Sequence, residues 1–197
     1  ERLGIPFYAL NLQAEFRQII DYFVDEYSQG RTPNPCIRCN NWIKFGKLFD
    51  YAERVDAEFV ATGHYARLEK GSGDVPQLLA GVDESKDQSY VLFGIRRADL
   101  RRMLLPVGGY DKPTIRSIAR EIGLNVAQKK DSQEICFVTQ GQHGEFVRAR
   151  QIETDTSGEI VTSDGRIVGR HPGIEGFTIG QRRGLGVALG EPYFVVA

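Results

Sequence analysis

Cysteine is scarce in this chain, with three among 197 residues. The number is odd and too small for a secreted disulfide scaffold, which leaves functional thiols in a reducing, cytoplasmic compartment. Basic charge is not in excess either. The formal net charge is −1, so no global positive field marks a nucleic-acid binder, and any polyanion must be met by local patches. No apolar run is long enough to span a membrane, and there are no repeats or low-complexity tracts. The N-terminal residues carry no signal-peptide pattern. Glu1 is not a start methionine, and residues 4–10 run at once into a strand-like segment, as residues 193–197 do at the other end. The chain therefore reads as an internal piece of a longer protein.

What is present reads as an α/β domain followed by a smaller β-rich one. Residues 7–12 are expected to form a strand. Phe16, Ile20, Phe23, Val24 and Tyr27 recur on one face of a helix over 14–29, with Gly30 as its stop. Trp42, Phe45, Leu48, Phe49, Ala52 and Val55 mark a second helix, and 58–63 a buried, parallel-type strand. Strand, two helices and strand make a right-handed crossover in a doubly wound, Rossmann-like sheet. A hairpin is expected over 67–82, and short helices over 88–95 and 98–104. Asp111 and Pro113 open a helix whose core face is Ile115, Ile118, Ala119 and Ile122, and Gly123 closes it. After about residue 140 the helical patterns fade. Two strand-like runs flank Asp164-Gly165, a strong hairpin signal. The expected division is residues 1–140 and 141–197.

The organising stretch is Gly30-Arg31-Thr32-Pro33-Asn34-Pro35-Cys36-Ile37-Arg38-Cys39-Asn40. Two prolines keep Thr32 and Asn34 out of the α region. Asn40 reads as the N-cap of the following helix. Cys36 and Cys39 would then sit at a helix start, where a thiolate, the reactive form, is favoured. The pair alone fits several chemistries. It is half a zinc site, completed by Cys136 and one of His64, His143 or His171. It also fits a redox couple, a three-sulfur cluster site with Cys136, or a sulfur that works with distant Cys136. Thr62-Gly63-His64-Tyr65-Ala66-Arg67 falls at a strand's carboxyl end, where ligands bind in doubly wound sheets, though a plain turn would look the same. Residues 83–90 are either a solvated helix start or a site offering a cation, an amide and a hydroxyl. Arg96-Arg97, Arg101-Arg102, Lys129-Lys130 and Arg182-Arg183 are local basic clusters of the kind that meet an RNA backbone.

Read together, the strings are less ambiguous. Residues 30–40 with Ile43-Lys44-Phe45, then Ala61-Thr62-Gly63-His64-Tyr65-Ala66, Lys86-Asp87-Gln88-Ser89-Tyr90, Lys129-Lys130-Asp131-Ser132 with Ile135-Cys136-Phe137, and residues 178–186 occur in this order. The set resembles the tRNA-specific 2-thiouridylases, and it covers essentially the whole chain. The resemblance implies an ATP-pyrophosphatase domain over 1–140 and a small β-rich central domain over 141–197. The family's Ser-Gly-Gly-x-Asp-Ser ATP loop is not in this stretch, and a C-terminal barrel would follow it, so the piece alone is not expected to turn over.

The resemblance also implies roles. ATP, with Mg2+, adenylates the C2 oxygen of the wobble uridine in tRNAs for Lys, Glu and Gln. Sulfur arrives as a persulfide on Cys136, delivered by a relay protein or cysteine desulfurase. Cys39 attacks that persulfide and ends disulfide-linked to Cys136. Asn34, Pro35 and Cys36 align with residues lining the target base, Gly63 with an ATP contact, His64 with a tRNA contact, and Lys86, Asp87 and Gln88 with a tRNA-binding segment. Cys36 departs from the aspartate common at its position, which keeps it in view as a rival nucleophile or an iron–sulfur ligand. The rival classes are a metal-stabilised RNA-binding module and a different ATP-pyrophosphatase synthetase.

Overall fold

The computed structural model describes residues 3–71, 73, 75–129, 135–138, 143–151 and 155–196. The chain divides into two compact units. The first holds Glu1–Gln18 and Ile37–Lys129, and the second Ile19–Cys36 and Lys130–Ala197.

In the first unit a helical run extends from Pro35, at its border, to Arg54. It begins as α2 (Pro35–Cys39), continues as a π-helix over Asn40–Lys47 and ends as α3 (Leu48–Arg54). It leads to β1 (Val60–Ala61), which pairs in parallel with β4 (Met103–Leu104). Between them lies the antiparallel hairpin of β2 (Ala66–Lys70) and β3 (Pro76–Ala80), at the position expected of it. Phe45, Phe49, Ala52, Val60, Ala66, Val91, Leu92 and Met103 form the core. The periodic apolar residues of the helix thus meet the parallel strands, but the helix precedes β1 and no strand forms at 7–12, so the expected strand–helix–strand crossover is not completed among the described residues. Burying a phenylalanine such as Phe45 or Phe49 contributes roughly 2 kcal/mol.

Three expectations in this unit are corrected. Residues 7–12 form no strand, and Phe7 is 87% exposed. A strand exists only where a neighbour completes its ladder, and among the described residues none does. The stretch 98–104 divides into a 3₁₀ turn, Asp99–Arg102, and strand β4. Helix α4 (Lys112–Glu121) does form, with the Asp111 carboxylate accepting from Thr114 N–H at 2.8 Å and Gly123 at φ +73°. Its apolar stripe, however, is not buried: Ile118 and Ile122 are exposed.

Helix α1 (Gln13–Ser28) crosses the border. In the second unit its Phe23 and Tyr27 pack with Val147 of helix α5 (His143–Arg148), and with Ile135, Phe137, Val138 and Phe146. Strands β5 (Gly158–Val161) and β6 (Ile167–His171) form the hairpin signalled by Asp164-Gly165, with Gly165 at φ +89°. Residues 193–196 are extended rather than laddered, held by Val195 N–H to the Gln181 carbonyl at 3.0 Å. An apolar cavity of about 550 Å³ lies between this segment and the hairpin.

Glu175 is a buried charge of this unit, 0% exposed. Arg148 Nε donates to its Oε1 at 2.9 Å and the Thr156 hydroxyl to its Oε2 at 2.6 Å. Burial alone would raise its pKa, but these donors outweigh it and hold the carboxyl below its ordinary value.

Candidate functional site

The proline loop is built to present alternate residues. Pro33 and Pro35 are buried, while Asn34 and Cys36 between and after them are exposed. Pro33 anchors the extended part of the loop and Asn34 after it turns outward, while Cys36 is exposed in the first turn of the helix that Pro35 opens. The loop is pinned from the second unit's own residues. Ile179 N–H donates to the Thr32 hydroxyl at 2.9 Å, and the Tyr27 and Thr178 hydroxyls share a hydrogen bond at 3.1 Å. Two of the sequence strings, 30–36 and 178–186, therefore meet. Gln181 fixes the second of them, accepting from Thr178 N–H and donating to the Arg183 carbonyl, both at 2.9 Å.

The helix start is corrected. Pro35, not Asn40, opens the helical run, because its fixed φ and missing N–H suit the first turn. Cys39 already has helical angles, φ −58° and ψ −43°, and Asn40 is buried within the run rather than capping it. The electrostatic argument for a helix start thus belongs to Cys36 and not to Cys39. Cys39 is half-buried at the point where α-helix gives way to π-helix, a widening often found at functional sites. Sequence periodicity carries no signal for that change.

Cys136 lies on a turn whose neighbours are sunk in the apolar cluster. Phe137 meets Phe23 edge-on, ring centroids 5.3 Å apart, and Val138 N–H closes the turn on the Ile135 carbonyl at 3.0 Å. Cys136 itself is exposed. Anchored neighbours and an outward thiol are what a sulfur carrier needs to meet a donor. Cys39 belongs to the first unit and Cys136 to the second, and all three cysteines are thiols. Of the string around Lys129, residues 130–134 lie outside the described residues.

At the carboxyl end of β1, Gly63 is exposed, and a side chain there would meet no described atom within 4 Å. Packing does not require glycine at this point, so the space is open to a ligand. His64 beside it is not a surface histidine. It is 5% exposed, with its Nδ1 bonded to the Thr62 hydroxyl at 2.8 Å and its Nε2 to Lys44 Nζ at 3.3 Å. An ammonium can only donate, so Nε2 accepts and Nδ1 carries the proton to Thr62. Burial, and then the Lys44 charge, push the His64 pKa down to about 4. The ring is spent on orienting Lys44, a residue that the sequence offered only as part of a string.

This has a pH consequence. The folded pKa lies below the unfolded one, so the contribution is complete above about pH 6.5 and is lost as pH falls toward 4. Denaturant titration of the chain should show about 2 kcal/mol less stability at pH 5 than at pH 7 from this group. His64→Gln should flatten that slope. An unchanged slope in the variant would remove the assignment.

The 86–88 segment faces inward more than a binding segment would. Asp87 accepts from Gly81 N–H at 2.8 Å and from the Ser89 hydroxyl at 2.7 Å. Gln88 accepts from Tyr65 N–H at 3.1 Å and returns its own N–H to the Tyr65 carbonyl at 2.8 Å. Lys86 is half-buried in a 3₁₀ turn. These residues hold the loop against β2 and β3. Of the candidate residues His171 lines the cavity of the second unit, whereas the cysteines, Gly63, His64 and the 86–88 segment do not, and no group of three or more His, Cys, Asp or Glu side chains suited to a metal occurs among the described residues. Among the same residues no helix is long and apolar enough to cross a membrane.

The tRNA methyl transferase HUP domain matches residues 1–140, and the tRNA methyl transferase PRC-barrel domain residues 145–197. A protein named tRNA-specific 2-thiouridylase MnmA from Rhodopirellula baltica is 62% identical over 196 residues, 98% of this chain and 49% of that protein. Its namesake from Solibacter usitatus is 50% identical over 205 residues, 100% of this chain and 55% of that protein. Another, from Clostridium perfringens, is 48% identical over 196 residues, 99% and 54% respectively. The chain spans about half the length of the curated relatives it matches. The chain belongs to the tRNA methyl transferase HUP-domain family, a Rossmann-like ATP-pyrophosphatase domain joined to a PRC-barrel domain.

Proposed function

We propose that the full-length protein 2-thiolates the wobble uridine of tRNAs for Lys, Glu and Gln in the cytoplasm, using ATP with Mg2+. The observation that carries this is the exposed Cys136 thiol on a turn whose half-buried neighbours pack against the apolar cluster. The printed names of the relatives point the same way, although the family description speaks of methyl transfer. Methyl transfer gives no task to two thiols 97 positions apart.

The steps balance as follows. The uridine C2 oxygen attacks the α-phosphorus of ATP and pyrophosphate leaves, which makes that oxygen a leaving group. A cysteine desulfurase or relay protein loads Cys136 as a persulfide. The Cys39 thiolate attacks the Cys136 Sγ, the S–S bond of the persulfide breaks, and hydrosulfide is released to C2, where it displaces AMP. A Cys39–Cys136 disulfide remains, and a thiol reductant resets it. Asn34, Pro35 and Cys36 line the target base, and Gly63 lies against the nucleotide. His64 orients Lys44, and Lys86, Asp87 and Gln88 hold the tRNA-facing loop. No step requires an iron–sulfur cluster on Cys36, Cys39 and Cys136.

In the full-length protein Cys136→Ala should reduce thiolated tRNA to background and leave tRNA affinity within about twofold, since a thiol-to-methyl change on an exposed turn removes no packing. Mass analysis of the tRNA product and a filter-binding isotherm read the two quantities. Thiolation that survives the change would refute the persulfide role.

A further inference from the structure

The loop that follows Gln88 carries two large aromatic side chains that its fold turns outward. Residues Ser89–Leu92 form a 3₁₀ turn. Such a turn repeats every three residues, so side chains at i and i+3 eclipse. Val91 and Leu92 face the core, 4% and 1% exposed, and Asn40 Nδ2 donates to the Val91 carbonyl at 3.4 Å. Tyr90 and Phe93, three apart, share the other side and are 60% and 72% exposed. Two large rings exposed on one side of a turn offer flat apolar faces to a partner.

The surroundings say which partner. Arg96 and Arg97 come three and four residues beyond Phe93, so the Arg97 backbone lies within about 14 Å of it, inside the reach of a nucleotide and an arginine side chain. Arg96, Arg97 and Arg101 are exposed, and Arg96 is steadied by Asp99 at 2.7 Å. Flat rings followed closely by cations match nucleobases joined by phosphates, and stacking of this kind requires bases that are not paired. The oxygens of Asp87 and Gln88 are already turned inward, so what this loop shows to solvent is chiefly the two rings.

We propose that Tyr90 and Phe93 form a stacking platform for unpaired bases of an RNA, with Arg97 meeting the adjoining phosphate. The surface reads base faces rather than base edges, so it holds the RNA without selecting its sequence. It rests on the tRNA reading above and gives it a contact that the aligned positions do not include.

The test uses the full-length protein with an unmodified anticodon stem–loop RNA and a blunt RNA duplex of equal length, over a range of salt concentrations. Tyr90→Ala and Phe93→Ala should each weaken stem–loop binding about tenfold, leave duplex binding unchanged, and leave the salt slope as it was. Tyr90→Phe should bind like the wild type, because it keeps the ring face. Arg97→Gln should lower the slope of log K against log salt by about one unit for both RNAs. The rings are largely exposed, so melting temperatures should hold. Alanine variants that bind the stem–loop like the wild type overturn the platform and leave the tRNA reading intact. So does an equal loss on the duplex, or a fall in melting temperature showing that protein covers the rings. A wild-type protein that ignores both RNAs overturns the tRNA reading, and the platform with it.

Discussion

Cys39→Ser in the full-length protein should abolish tRNA 2-thiolation, with a fall in rate of at least about a thousandfold, while adenylation of the uridine continues. The two half-reactions use different chemistry. Adenylation needs a nucleotide held near Gly63 and a polarised α-phosphate, and Cys39 supplies neither. Sulfur release needs a thiolate to break the persulfide bond, and a serine hydroxyl does not ionise at neutral pH. The same substitution at Cys36 should act differently. Cys36 is exposed in the first helical turn, and Cys39 is half-buried one helical turn later. If Cys36 only faces the target base, Cys36→Ser should keep most of the rate. Pyrophosphate release and thiolated product, followed in parallel, separate the steps. A Cys39→Ser protein that still thiolates, or a Cys36→Ser protein that does not, would exchange the roles of the two sulfurs.

Glu175→Ala should destabilise the second unit by about 3–5 kcal/mol, enough to unfold a marginal domain. The carboxylate is wholly buried, and the substitution strands both of its donors, Arg148 Nε and the Thr156 hydroxyl. Arg148 is half exposed and recovers some hydration, which keeps the loss toward the lower figure. Glu175→Gln preserves the volume and one acceptor and should cost about 1–2 kcal/mol. The site leaves no space for relaxation, since a side chain at Gly173 would run into the carboxylate. The sign of the pH effect follows from its depressed pKa: the stabilisation is present above the ordinary carboxyl range and fades as acid protonates Glu175. Thermal melts of the three proteins at neutral and acidic pH read these differences. Equal melting temperatures in wild type and Glu175→Ala would show that the pair contributes nothing.

Much of this was legible in the chain, and the failures have physical causes. Helix α1, the two hairpins and the Asp111 cap follow from local chemistry: an apolar stripe, Asp-Gly between alternating runs, an aspartate three residues before a free N–H. Each needs no distant partner to be specified. The strand expected at 7–12 depends on a neighbour, so its apolar pattern alone did not decide it. The helix start was misplaced at Asn40 because a good capping residue and a proline at the first turn both signal an end, and the proline prevailed. His64 and Lys44 are twenty positions apart, and only tertiary packing makes the one a positioning group for the other. Glu175 gave no periodic signal at all. Residue type alone left the chemistry of the cysteines open, and the roles proposed for Cys39 and Cys136 rest on the family resemblance.

The most direct test is chemical. Full-length protein charged with labelled sulfur, given ATP and unmodified tRNA without reductant, is quenched after one turnover and mapped by peptide mass analysis. The account predicts label first on Cys136, then in the tRNA, with a Cys39–Cys136 disulfide appearing in equal amount. Label in the tRNA with both cysteines still as thiols, or a disulfide that joins Cys36 instead, would contradict it.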